Sequence, residues 1–255
     1  LLVGRMPVFD AVCTAFGTAG TGGFGIKNDS IAGYSPYLQW VITIFMLLFG
    51  VNFNAYYFIL FGNARKAFKM EEVRCYFIIV AVSVAVITIE LFRSAVPFAN
   101  ALRDSSFQVA SIITTTGFST ADFNLWSGTS RTILVMLMFV GACAGSTGGG
   151  MKVSRFVILF KTVFKELDSY IHPKRIRKLS LDGKPIEHDV VRSINVYFIT
   201  FTVIFVASLF LVSLEGKDLV TNFTAVAATI NNIGPGLELA GPTQNFGRSE
   251  ERRVG

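Results

Sequence analysis

Residues Ser106–Thr120 read SFQVASIITTTGFST. An apolar stretch, Ser106–Ile113, runs directly into Thr114-Thr115-Thr116-Gly117-Phe118. A helix that crosses a bilayer needs about 20 apolar residues, so this stretch is too short to span and reads as re-entrant. Two other segments repeat the pattern. Val8–Gly17 leads into Thr18-Ala19-Gly20-Thr21-Gly22-Gly23-Phe24-Gly25, and Leu219–Ile230 leads into Asn231-Asn232-Ile233-Gly234-Pro235-Gly236. The turns align as Thr21-Gly22-Gly23-Phe24, Thr115-Thr116-Gly117-Phe118 and Asn232-Ile233-Gly234-Pro235. Their glycines recur at roughly 95 to 115 residues, the mark of an internal repeat. Non-helical backbone at membrane depth survives only where it lines a cavity. Glycine allows the backbone to turn its carbonyls inward, and a ring of carbonyls can replace the hydration shell of a cation.

Working outward, long apolar runs flank these segments. Leu38–Gly62, Val73–Phe92, Thr132–Met151 and Ser193–Leu214 are each long enough to span. Tyr37, Trp40, Tyr56 and Tyr57 stand near the ends of the first, where amphipathic rings favour the interface. The composition agrees: 52% of the 255 residues are apolar and only 16% charged, against about 25% charged in a typical soluble domain. That excludes disorder, collagen, a coiled coil and an ordinary soluble enzyme. Three scattered cysteines, Cys13, Cys75 and Cys143, exclude a disulfide scaffold and a clustered metal site.

The net charge of +6 is a topology signal, not a nucleic-acid patch. Arg65, Lys66, Lys69 and Arg74 follow the first run; Lys161, Lys165, Lys174, Arg175, Arg177, Lys178, Lys184 and Arg192 follow the third. Basic residues concentrate on the cytoplasmic side, so both connections are expected there, with the Gly-rich turns opening to the outside. Asp29, Asp104, Asp122 and Glu238 flank those turns and would make the entrance slightly negative, although each is as well explained as a loop acid or helix cap.

The third run ends in Gly141-Ala142-Cys143-Ala144-Gly145-Ser146-Thr147-Gly148-Gly149-Gly150-Met151-Lys152. Consecutive glycines should break a helix there. Gly141 and Gly145 alone would fit a close helix-packing motif, which leaves Gly148–Gly150 unexplained. The segment is not a phosphate loop, because Met151 separates Gly150 from Lys152 and Val153 follows. His172 and His188 read as ordinary loop residues. Glu90 and Arg93 should pair across one helical turn. No nucleophile–base set is visible, so the chain is not expected to be an enzyme.

The segments CTAFGTAGTGGFG (Cys13–Gly25), QVASIITTTGFSTADFNLW (Gln108–Trp126), GACAGSTGGGMK (Gly141–Lys152) and TAVAATINNIGPGL (Thr224–Leu237) resemble the Trk/Ktr/HKT potassium transporter superfamily, most closely the bacterial TrkH/TrkG membrane subunits. The resemblance implies an all-α integral membrane fold of repeated M1–P–M2 pore units, like those of potassium channels. These surround a single pore, with re-entrant pore helices and a broken helix in repeat three. By that division residues 1–64 end the second repeat, 65–165 form the third, 166–192 a cytoplasmic loop and 193–247 most of the fourth. The first repeat and last helix would lie outside the chain, and 248–255 read like a translated sequencing adapter.

The resemblance further implies potassium uptake across the bacterial plasma (inner) membrane by a multi-pass protein. K⁺, or alternatively Na⁺, would be the transported ion, and no cofactor would be covalently bound. The expected filter comprises Thr21, Gly22, Gly23, Phe24, Thr115, Thr116, Gly117, Phe118, Asn232, Ile233, Gly234 and Pro235. The hydroxyls of Thr21 and Thr115 could add a further ion site. The expected gate is the loop of Gly145, Ser146, Thr147, Gly148, Gly149, Gly150 and Lys152, with Arg155 close to it on the cytoplasmic side. The implied partners are the lipid bilayer, a second copy in a homodimer and a TrkA-type nucleotide-binding ring docking on Lys174, Arg175, Arg177 and Lys178; no nucleic acid is expected. The alternative is the potassium-binding subunit of a P-type ATPase complex, against which the short connections and the GSTGGG and NNIGPGL segments argue.

Overall fold

The computed structural model describes residues 1–27, 29–172 and 179–242. Lys174, Arg175, Arg177 and Lys178, expected to dock a regulator, and the adapter-like 248–255 lie outside the described residues. The described chain is mostly helical: α1 Val8–Ala19, α2 Pro36–Phe49, α3 Phe53–Leu60, α4 Ala64–Lys69, α5 Glu71–Arg93, α6 Phe98–Ile113, α7 Gly128–Val140, α8 Val153–Ile171, α9 His188–Ser213 and α10 Leu219–Ile230. A two-stranded antiparallel hairpin, β1 Ser180–Leu181 and β2 Lys184–Pro185, interrupts the helical pattern between α8 and α9. Its turn is Asp182-Gly183, both at positive φ (52° and 75°), which matches the right-handed twist of the strands.

Two of the expected spans are continuous helices. α5 and α9, 23 and 26 residues long, are apolar enough to cross a membrane. α9 turns Val196, Ile199, Val203, Ile204, Phe210 and Leu211 outward, as a lipid-facing helix does. Glu90 and Arg93 pair at 3.5 Å at the end of α5.

The first expected span, Leu38–Gly62, is not one helix. α2 and α3 meet at a 93° bend over Gly50–Asn52. Asn52 caps α3 by accepting from the Asn54 N–H at 2.9 Å, so the chain can restart at a new angle. The reason for the bend is tertiary. The Tyr76 hydroxyl of α5 donates to the Leu47 carbonyl at 3.2 Å, and a Cβ on Gly50 would lie 2.6 Å from that hydroxyl. The third run, Thr132–Met151, is helical only to Val140; a loop, Gly141–Lys152, separates it from α8.

α1 and α10 match the short apolar stretches of the sequence, while α6 begins earlier than expected, at Phe98. α6 is enclosed: every residue from Ser105 to Ile113 is buried. It packs on α5 and α2, and the Thr88 and Ser105 hydroxyls hydrogen-bond at 2.7 Å between α5 and α6. Phe139 of α7, Phe201 and Phe205 of α9 and Phe223 of α10 form one aromatic cluster, with ring centroids 5.1–6.4 Å apart in its contacting pairs.

In lipid, packing carries more of the stability than burial from water. Phe205→Ala, which empties the centre of that cluster, should therefore lower the thermal unfolding midpoint in detergent. Phe210→Ala, on the outward face of the same helix, should leave the midpoint nearly unchanged.

Candidate functional site

The helices α1, α6 and α10 end in the same way. The N–H groups of Thr21, Thr115 and Asn232 bond to Thr18, Ile112 and Thr229 carbonyls at 3.3, 3.1 and 3.2 Å. Those of Gly22, Thr116 and Ile233 reach back to Gly17, Ser111 and Ala228 at 2.8, 2.9 and 2.8 Å. This is the Schellman pattern, which requires a left-handed residue where the helix stops. Glycine usually takes that place. Here it is Thr21, Thr115 and Asn232, at φ 49°, 57° and 56°. For a β-branched threonine the left-handed region costs about 1–2 kcal/mol. Two residues later each turn has a second positive φ, at Gly23 (63°), Gly117 (86°) and Gly234 (104°).

The turns sit side by side. A Cβ on Gly23 would lie 1.8 Å from the Thr116 carbonyl oxygen, and one on Gly117 would lie 2.1 Å from that of Ile233. The turn at Thr115–Phe118 is therefore the middle one. Phe118 is fully buried, with its ring against Gly17 of α1, whereas Phe24 is 81% exposed. Hydroxyls of the short helices brace the rising chain: Ser111 Oγ donates to the Phe118 carbonyl at 2.5 Å, and Thr224 Oγ1 accepts from the Leu237 N–H at 2.9 Å. The outer segments are tied together as well. Ile31 N–H donates to the Ser119 carbonyl at 3.0 Å, and Glu238 N–H to Asn124 Oδ1 at 2.9 Å.

The Gly141–Lys152 loop closes on itself beneath the turns. Val153 N–H reaches the Ala142 carbonyl at 3.1 Å, and a Cβ on Gly150 would lie 2.7 Å from Gly141 Cα. Gly141, Gly145 and Gly150 are at positive φ and none is helical, which removes the helix-packing reading of Gly141 and Gly145. The loop touches all the turns. Thr21 Oγ1 donates to the Thr147 carbonyl at 2.9 Å, and Gly149 N–H donates to Thr115 Oγ1 at 2.5 Å. A Cβ on Gly149 would lie 2.7 Å from the Asn231 carbonyl oxygen. Both threonine hydroxyls are thus engaged by the loop. Lys152, at φ 76°, folds its ammonium back onto the Gly148 carbonyl, and Arg155 donates to the Met151 carbonyl at 3.0 Å while stacking over Tyr197.

Glu72, in the first turn of α5, went unnoticed in the sequence because it stands beside Glu71 just ahead of a span. It is 4% exposed. Its carboxylate accepts from the N–H groups of Ala144 at 2.5 Å and Ser154 at 3.1 Å, and from Asn52 Nδ2 at 3.3 Å. A carboxylate at the edge of an apolar run was the available signal, since ionisable groups there are costly.

Three of the four acids that flank the turns have structural partners. Glu238 pairs with Arg131 at 2.8 Å, Asp104 with Arg103 at 3.1 Å, and Asp122 caps the Asn124 N–H at 3.0 Å. Tyr34 donates to Asp10 at 2.6 Å; burial, then that carboxylate, pushes its hydroxyl up to about 12.

The TrkH family, described as cation transport proteins, matches residues 2–247. The chain belongs to the TrkH family. It is 33% identical to the Trk system potassium uptake protein TrkH of Salmonella typhimurium, over 91% of this chain and 49% of that protein. It is 32% identical to the Trk system potassium uptake protein TrkI of Halomonas elongata, over 96% of this chain and 50% of that protein. The crystal structure of the potassium transporter TrkH from Vibrio parahaemolyticus superimposes with a TM-score of 0.86 at 32% identity, covering 94% of this chain and 52% of that one. The chain therefore spans about half the length of these TrkH-family relatives, and with its apolar helices it is a multi-pass membrane protein.

Gly117→Ser, whose Cβ would lie 2.1 Å from the Ile233 carbonyl oxygen at φ 86°, should displace that carbonyl and, where the turns serve as a K⁺ filter, change discrimination between K⁺ and Na⁺ in flux measurements. Gly183→Ser, also at positive φ but with nothing within 4 Å of its Cβ, should leave discrimination unchanged.

Proposed function

We propose that this chain is the pore-forming part of a TrkH-type potassium uptake transporter of the bacterial plasma membrane. The observation that carries the reading is the double positive-φ pattern at Thr21/Gly23, Thr115/Gly117 and Asn232/Gly234, in turns that meet. Alternating hand along the backbone lets successive carbonyls face the same side. In this reading the carbonyls of Thr21, Gly22, Thr115, Thr116, Asn232 and Ile233 replace water around a dehydrated K⁺. The C-terminal ends of α1, α6 and α10 converge there, and their partial negative charge favours a cation. Each short helix, its turn and its flanking apolar helices make one M1–P–M2 unit of a repeated pore, and Phe24, Phe118 and Pro235 close the tetrads.

The Gly141–Lys152 loop lies across the inner side of these turns, as a gate would. Glycine-rich backbone can leave that position without breaking a rigid helix. The protein acts as a transporter rather than an enzyme, with K⁺ as cargo. It works as a homodimer whose basic cytoplasmic segment docks a TrkA-type nucleotide-binding ring. No observation favours the P-type ATPase alternative.

Expressed in full, the gene should restore growth at low K⁺ to bacteria stripped of their own uptake systems; no rescue despite membrane insertion would refute the assignment. Neutralising Lys174, Arg175, Arg177 and Lys178 together should weaken capture of the regulatory ring in a pull-down, and undiminished capture would rule out that docking surface.

A further inference from the structure

The ties that Ser146 and Lys152 make, to the Cys143 carbonyl at 2.6 Å and to the Gly148 carbonyl, are internal to the Gly141–Lys152 loop and do not fix it against the rest of the fold. Something outside it must set where it rests. Glu72 holds three donors on three different segments: Ala144 at the start of the loop, Ser154 in the first turn of α8 just past its end, and Asn52 at the bend between α2 and α3. A buried carboxylate short of donors is expensive, so a loop that swings away from Glu72 leaves a strained charge behind.

A second set of contacts ties this residue to the cytoplasmic hairpin. The N–H of the adjacent Glu71 donates to Asp182 Oδ1 at 2.6 Å, in the β1–β2 turn. Lys161 of α8 bridges the Glu71 carboxylate and the Ser180 carbonyl, the latter at 2.8 Å. The hairpin is thus fastened to the residue next to Glu72, while Glu72 is fastened to the loop.

We propose that Glu72 is a positioning residue that latches the Gly141–Lys152 loop in its resting place, and that the Ser180–Pro185 hairpin is the lever through which a cytoplasmic partner releases it. This rests on reading the loop as the gate. A shift of the hairpin moves the first turn of α5, and with it the carboxylate the loop depends on. The latch favours the resting state only because its bonds are absent once the loop has moved, which is the differential contact a two-state element requires.

The test uses the whole transporter in proteoliposomes, with rubidium flux as readout and no regulator present. Glu72→Gln keeps the shape but turns an amide NH₂ towards donors. It should raise basal flux about tenfold, which corresponds to ~1.4 kcal/mol lost from the resting state. Discrimination between K⁺ and Na⁺ should stay as in the parent, a split that a merely structural defect would not produce. Asp182→Ala should raise flux in the same direction, and the double variant should not exceed Glu72→Gln alone. Flux equal to or below that of the parent in folded Glu72→Gln would overturn the latch. If that variant yields no folded protein, Asp182→Ala decides, with raised flux supporting the proposal and unchanged flux overturning it. Deleting Thr147–Gly149 separates the two ideas. Unchanged flux there would refute the gate itself, whereas raised flux there with a silent Glu72→Gln would refute only the latch.

Discussion

Backbone hydrogen bonding without water is the constraint on which this structure depends. Inside a bilayer each unpaired N–H or C=O costs several kcal/mol, so helices cannot simply stop. Two of the apolar runs are interrupted, at Gly50–Asn52 and at Gly141–Lys152, and the two breaks bond to each other. Cys143 N–H donates to the Gly50 carbonyl and Phe53 N–H to the Gly145 carbonyl, each at 3.0 Å. The Tyr76 hydroxyl takes the Leu47 carbonyl and the Tyr56 hydroxyl that of Leu48. Each break thus supplies partners for backbone groups that the other frees, which favours a bent α2–α3 pair and a looped α7–α8 pair together.

The same accounting explains the turns. α6 ends inside protein, α1 and α10 end partly exposed, and the last carbonyls of all three are closed by Schellman bonds. Threonine in the left-handed region is unfavourable, yet Thr21 and Thr115 adopt it. Each is held by its neighbours, Thr21 through the Thr147 carbonyl and Thr115 through the Gly149 N–H. Strain that surrounding structure over-determines is a property of working sites. The loop therefore helps to hold the turns in their strained form, so its removal would change the turns as well.

The apolar runs, the short helices, the Gly turns and the glycine break were legible in the sequence because each is a local property. Length separates a span from a half-helix, and three aligned turns separate a repeat from chance. The hairpin was not read from the sequence, where 166–192 stood only as a polar loop, although Asp182-Gly183 is a turn signal. What the sequence concealed were contacts between residues far apart in the chain. Gly50 is an unremarkable glycine in an apolar run until Tyr76 and Cys143 arrive beside it. Glu72 looks like one more basic-loop neighbour until Ala144 and Ser154 turn their N–H groups on it.

By itself, then, the sequence determined that this is a helical membrane protein with three short apolar helices that each lead into a Gly-containing turn and a glycine loop that interrupts a long apolar run, because hydropathy and backbone freedom are written residue by residue. Only the tertiary structure decided that the first span bends, that the turns pack with Thr116 against Gly23 and Ile233 against Gly117, and that a lone carboxylate meets the loop. Those outcomes depend on which unpaired polar groups find each other across the fold, and that pairing has no signature along the chain.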